Sequence, residues 1–341
     1  MRGGGSAAFT AAWLASAALA QPSQSGLQPD AVFSDYPPVA QSSQLIARLA
    51  SPLTAEQMRR ALAGRSLDER PLDLSKERFV LYVPAKAPEG GYGLLVFVPP
   101  WNEAVLPNGW QPVLDRLGVI FVAAEASGND ANVLTRREPL ALIAEANVEK
   151  RYRIDPALVF VGGFSGGAHV AERLALAYPD IFSGALLDAG ADPIGDHAAP
   201  LPEAELFARF QATSRIYLLT GSKDQGRLDM ATDAVSSLGR WCVANTASDE
   251  IPDAGHRIAD PAALERALKA LAAAPKPDGS RLAACRARVA HDEAAASEKV
   301  ETLLAAGRRE EAKKALIDLD ARFGGLAKAR SVALFERLAG G

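Results

Sequence analysis

Six short apolar runs constrain the fold more than anything else in the sequence. They are residues 79–83 (Phe-Val-Leu-Tyr-Val), 94–98 (Leu-Leu-Val-Phe-Val), 119–122 (Val-Ile-Phe-Val), 158–161 (Leu-Val-Phe-Val), 185–187 (Ala-Leu-Leu) and 216–219 (Ile-Tyr-Leu-Leu). Most are continuous and do not alternate with polar residues. A strand of this kind has both faces buried, which is the mark of a mostly parallel sheet covered by helices on either side. Helix-like stretches fall between and after the runs, at 139–150, 167–177, 228–238 and 261–273. Strands alternating with helices predict the α/β class, with a doubly wound, mostly parallel sheet.

The flanks differ from this middle. Arg2 is followed by an uncharged apolar stretch from Ala7 to Ala20, ending Ala18-Leu19-Ala20. A basic start, a short apolar centre and an A-x-A end read as a cleaved secretory signal. The stretch falls short of the roughly 20 residues needed to span a bilayer, so no membrane insertion is expected after cleavage. Residues 21–40 are rich in Gln, Ser and Pro and read as an extended, poorly ordered lead-in. Residues 43–63 read as two short helices, with Thr54 as N-cap, Gln57 in the capping-box position and Gly64 as the stop. After Ala274, Pro275 and Pro277-Asp278-Gly279 mark a boundary. Residues 280–341 hold 12 Lys/Arg and 9 Asp/Glu and no β-rich run. The expected division is a signal at 1–20, a lead-in with short helices at 21–75, a catalytic domain at 76–275 and a C-terminal helical extension at 276–341.

Within that extension, Leu303-Leu304-Ala305-Ala306-Gly307 followed by Glu310-Glu311-Ala312 is similar to a tetratricopeptide-type helical hairpin. At most about one repeat is present, where solenoids need roughly three, so the helices are expected to pack on the main domain. A protein partner bound through them is the alternative.

Charge and composition narrow the partners. The net charge of −4 gives no electrostatic case for nucleic acid. Four scattered histidines and two cysteines, with no H-E-x-x-H, support no metal site. In a secreted or periplasmic chain, the pair Cys242 and Cys285 reads as one disulfide tying the tail to the main domain.

Chemistry enters at Gly163-Phe164-Ser165-Gly166-Gly167, a G-x-S-x-G match. It directly follows one apolar run and directly precedes a helical stretch, the strand–turn–helix setting this motif requires. A serine hydroxyl is a weak nucleophile until a base takes its proton. His169 lies one turn along the following helix and is expected to point away, His197 sits in a loop and His291 in the charged tail. His256, in Asp253-Ala254-Gly255-His256 before the last helix of the main domain, is the expected base. Asp224, after the 216–219 run, is the expected acid that orients it, with Asp229 and Asp192 as rivals. The order Ser165, Asp224, His256 is that of one hydrolase fold.

These residues carry a resemblance to the α/β-hydrolase superfamily over about residues 75–275. The stretch Leu174-Ala175-Leu176-Ala177-Tyr178-Pro179-Asp180-Ile181-Phe182 resembles the helix-to-strand link of secreted polyhydroxyalkanoate-depolymerase and feruloyl-esterase relatives. The resemblance implies a secreted serine hydrolase acting on a small-molecule or polymeric carboxylic ester, through an acyl-enzyme and without a cofactor. It also implies an oxyanion hole of two main-chain N–H donors, one from Gly166. Relatives carry His-Gly after the strand matching 94–98, where this chain has Pro99-Pro100-Trp101-Asn102. Proline has no N–H, so Trp101 is the first residue able to supply the second donor, with Asn102 next. A serine peptidase on the same fold and an inactive scaffold with a helical interaction tail are the rival readings.

Overall fold

A computed structural model describes residues 24–273 and 278–339. The stretch read as a secretory signal, and the prolines at 275 and 277, lie outside the described residues.

Among the described residues, eight strands form one sheet. They are β1 (Gly26–Ala31), β2 (Phe79–Val83), β3 (Tyr92–Val98), β4 (Val119–Ala124), β5 (Ile154–Phe164), β6 (Gly184–Asp188), β7 (Arg215–Gly221) and β8 (Asn245–Ile251). Their order is β1-β2-β4-β3-β5-β6-β7-β8. β2 runs antiparallel to β1 and β4, and every other pairing is parallel. This is the doubly wound, mostly parallel sheet that the apolar runs predicted, in the strand arrangement that the resemblance to α/β-hydrolases implied. The six runs are β2 to β7.

The two-sided burial is literal. In β3, Leu94, Val96 and Val98 enter one core while Leu95 and Phe97 enter the other; β4 divides the same way, Ile120 and Val122 against Phe121 and Ala123. Helices α1 (Ser42–Leu49), α2 (Pro52–Leu62), α3 (Gln111–Leu117), α4 (Glu138–Arg151), α5 (Gly166–Ala177), α6 (Ala204–Thr213), α7 (Gln225–Arg240) and α8 (Pro261–Ala272) cover the sheet. The first core takes α4 and α5, and the second takes α3 and α8.

Two local expectations are corrected. The lead-in read as poorly ordered supplies β1, which pairs with β2 at the sheet edge. Its alternating exposure and Pro29 are tolerated there because one side of an edge strand needs no ladder partner. The N-cap of α2 is Ser51, whose hydroxyl accepts from the Thr54 main-chain N–H, and not Thr54. Pro52 fits the first helical position, where no N–H is needed, and so moves the start upstream.

The tail forms α9 (Gly279–Ala305), α10 (Arg309–Phe323) and α11 (Lys328–Ala339). Val300, Leu316, Leu319, Phe323 and Leu334 are buried in the first core. Asp320 of α10 accepts from both the Ser51 hydroxyl and the Leu53 main-chain N–H, so the tail caps α2 of the body. Arg286 of α9 donates to the Gln211 side chain and the Ala208 carbonyl of α6. Cys242 and Cys285 are joined by a disulfide. Among the described residues no helix is long and apolar enough to cross a membrane, and no cluster of His, Cys, Asp and Glu could hold a metal ion.

Candidate active site

Ser165 sits at the turn from β5 into α5, with φ 53° and ψ −121°. A non-glycine residue held at positive φ costs of order 1–3 kcal/mol and persists only where its surroundings impose it. Here the Ser165 N–H donates to the Asp188 carbonyl at 2.7 Å, and the Ser165 carbonyl accepts from Ala168 at 3.0 Å. The turn also needs Gly167, because a Cβ there would lie 1.8 Å from the Val98 carbonyl oxygen. The glycine lets α5 press against the end of β3, which raises the serine hydroxyl at the C-terminal edge of the sheet.

His256 follows β8 on a loop. Its Nε2 is 2.9 Å from Ser165 Oγ, and its Nδ1 is 2.6 Å from Asp224 Oδ2. Asp224 stands at the N-cap position of α7 after β7. The loops carrying Asp224 and His256 are laced together: Lys223 N–H donates to the Ala254 carbonyl at 2.8 Å and Asp253 N–H to the Ser222 hydroxyl at 2.9 Å. Asp224 is sheltered at 15% side-chain exposure, whereas His256 is 41% exposed and open to solvent. The Phe164 ring packs on the imidazole at 5.0 Å between centroids.

The rival residues are committed elsewhere. His169 Nδ1 lies 2.6 Å from Asp192 Oδ2, and Asp229 accepts from Gln225 at 2.8 Å. His197 is exposed in its loop, and His291 is exposed on α9.

The 99–102 loop is pinned to the loop after β4. The Pro99 carbonyl accepts from Arg137 at 2.9 Å, the Pro100 carbonyl from Asn129 N–H at 3.0 Å and the Asn102 carbonyl from Ala126 N–H at 2.7 Å. Trp101 is half-buried, its ring 6.0 Å from that of Phe164, and its indole N–H is buried without a partner. Its main-chain N–H makes no hydrogen bond to a described residue, so it is free to donate.

Two residues that sequence reasoning missed anchor the loop that follows His256. Asp188 Oδ2 accepts from the Ala259 N–H at 2.7 Å, and Trp110 Nε1 donates to the Ala259 carbonyl at 2.9 Å. Both main-chain polar groups of Ala259, three residues past His256, are thereby fixed from the core. The available signal was a carboxylate closing the apolar run 185–187.

Asp188 is almost wholly buried with Oδ1 unpaired, and that burial pushes its carboxyl up to about 8. The native state therefore keeps a proton that the unfolded chain releases above about pH 4. The stability this contributes is complete below about pH 4 and is lost as pH rises through about 8. Asp188→Asn keeps an acceptor for Ala259 but cannot ionise. In urea titrations at pH 5 and pH 8, wild type is expected to lose stability relative to this variant at the higher pH. A constant difference would contradict the assignment. Buried carboxyls such as Glu172, also pushed up by burial, are common to both proteins and cancel in the difference.

No family model matches the chain. Among curated proteins, a poly(3-hydroxybutyrate) depolymerase of Ralstonia pickettii is 32% identical over 98 residues, covering 25% of this chain and 20% of that protein. The match thus spans about a fifth of the relative's length. Among solved structures, an S-formylglutathione hydrolase from Staphylococcus aureus aligns with a TM-score of 0.45 at 13% identity, over 58% of this chain and 93% of the other. A feruloyl esterase module from Clostridium thermocellum aligns with a TM-score of 0.43 at 15% identity, over 57% and 82%.

Proposed function

We propose that the protein is a secreted serine hydrolase that cleaves carboxylic esters. The observation that carries this reading is the unbroken chain from Ser165 Oγ through the His256 ring to Asp224, at 2.9 and 2.6 Å. Ser165 Oγ attacks the ester carbonyl carbon while His256 Nε2 takes its proton. Asp224 holds the Nδ1–H tautomer and stabilises the imidazolium that forms. The negative charge on the carbonyl oxygen is met by the main-chain N–H groups of Gly166 and Trp101. Collapse expels the alcohol, which leaves with the proton from His256. Water, deprotonated by the same ring, then releases the acid from the acyl-enzyme. These steps need no cofactor.

The 98-residue likeness to a depolymerase of poly(3-hydroxybutyrate) supports an ester as the bond cleaved. Secretion is supported by the signal-like first 20 residues together with the disulfide, since disulfides persist in oxidising compartments. A panel of p-nitrophenyl esters set against aminoacyl and prolyl anilides tests the reaction class. Turnover of the esters with kcat/KM at least about 100-fold above the anilides is expected, a gap of about 2.7 kcal/mol in transition-state stabilisation. Faster anilide cleavage would make the protein a peptidase.

A further inference from the structure

Gly166, the residue after the nucleophile, carries no side chain, yet its side-chain position is filled. A Cβ built there would lie 2.1 Å from Asn129 Oδ1, 2.7 Å from its Cγ and 3.0 Å from its Nδ2. The Asn129 carboxamide thus occupies the volume that a larger residue after the nucleophile would fill for itself. Its own backbone is tied to the oxyanion loop, since Asn129 N–H donates to the Pro100 carbonyl at 3.0 Å. The carboxamide is on an exposed residue and makes no hydrogen bond to any described residue. Oδ1 is the carboxamide atom nearest Gly166, and the NH₂ group stands unpaired beside the residue that follows the nucleophile.

From this placement we infer that Asn129 is a catalytic residue, a side-chain donor to the substrate's carbonyl oxygen that supplements the main-chain donors Gly166 and Trp101. The inference rests on the ester-hydrolase reading above. Its physical logic is that an unpaired donor beside the oxyanion gains most when negative charge develops there, so its effect falls on the transition state more than on the bound ester. It also supplies a donor beside a loop in which Pro99 and Pro100 can give none.

The test compares wild type with Asn129→Ala and Asn129→Asp, using a p-nitrophenyl ester and a trifluoromethyl ketone that captures the serine as a tetrahedral adduct. Asn129→Ala is expected to lower kcat about 100-fold with KM within about threefold, and to weaken the ketone by the same factor as kcat/KM. Asn129→Asp keeps the shape that packs on Gly166 but replaces a donor with a negative charge, so its kcat should fall further. If both variants keep kcat and ketone affinity within about twofold of wild type, the carboxamide is only packing and the inference is overturned. The underlying reading is checked separately on wild type: without ester turnover and fluorophosphonate labelling at Ser165, the hydrolase assignment itself fails and takes this inference with it. With both present and the variants unchanged, only the role of Asn129 fails.

Discussion

Replacing Ser165 with alanine is expected to lower kcat for ester hydrolysis by at least about 10⁴-fold while leaving the fold intact. The geometry makes this sharper than a generic nucleophile knockout. Ser165 is held at φ 53° by hydrogen bonds of its own backbone, not by its hydroxyl, so losing the hydroxyl leaves the turn unchanged. Alanine retains the Cβ and hence the strain. Glycine removes it, so Ser165→Gly should be as inactive as the alanine variant and more stable than it by about 1 kcal/mol. Equal stability of the two variants in urea titrations would show that the turn is not strained. Residual activity within about tenfold of wild type would remove Ser165 from the chemistry.

Breaking the disulfide is expected to have the largest effect on stability. Cys242 and Cys285 close a 43-residue separation between the end of α7 and the start of α9. On the chain-entropy account such a link contributes about 4 kcal/mol by restricting the unfolded chain. The Cys242→Ala, Cys285→Ala double variant should lose about that much in a urea titration under non-reducing conditions. Loss of less than about 1 kcal/mol would mean that the Asp320 cap on α2 and the buried face of α10 hold the tail unaided. Activity of the folded fraction should not change. Cys242 lies before β8, whereas Asp224 and His256 follow the far ends of β7 and β8.

The parts of this fold that were legible in the sequence are those whose burial is complete. β2, β3, β4, β6 and β7 are buried along their whole length, and only a continuous apolar run can pay for that. β8 reads Asn-Thr-Ala-Ser-Asp-Glu-Ile and gave no such signal, because an edge strand keeps much of its length in water. β1 escaped notice for the same reason. Ser165, Asp224 and His256 were legible as candidates because each follows a strand end in an order that the motif restricts, and the structure brings the three within hydrogen-bond distance. Asp188, Trp110 and Asn129 were not, because their contacts lie 37 to 149 residues away in the chain. Asp188 reaches Ala259, Trp110 reaches the same residue from the other side, and Asn129 reaches Gly166. Nothing in local sequence periodicity encodes such pairings. The 99–102 loop is intermediate: two prolines exclude themselves as donors by chemistry alone, but the pinning of their carbonyls by Arg137 and Asn129 required the structure.

Activation of Ser165 as a nucleophile is tested by intact-mass measurement after treatment with a fluorophosphonate. Wild type should gain a single adduct, mapped by peptide sequencing to Ser165, while Ser165→Ala and urea-unfolded wild type gain none. An unlabelled wild-type protein, an adduct on another serine, or labelling that survives Ser165→Ala would contradict it.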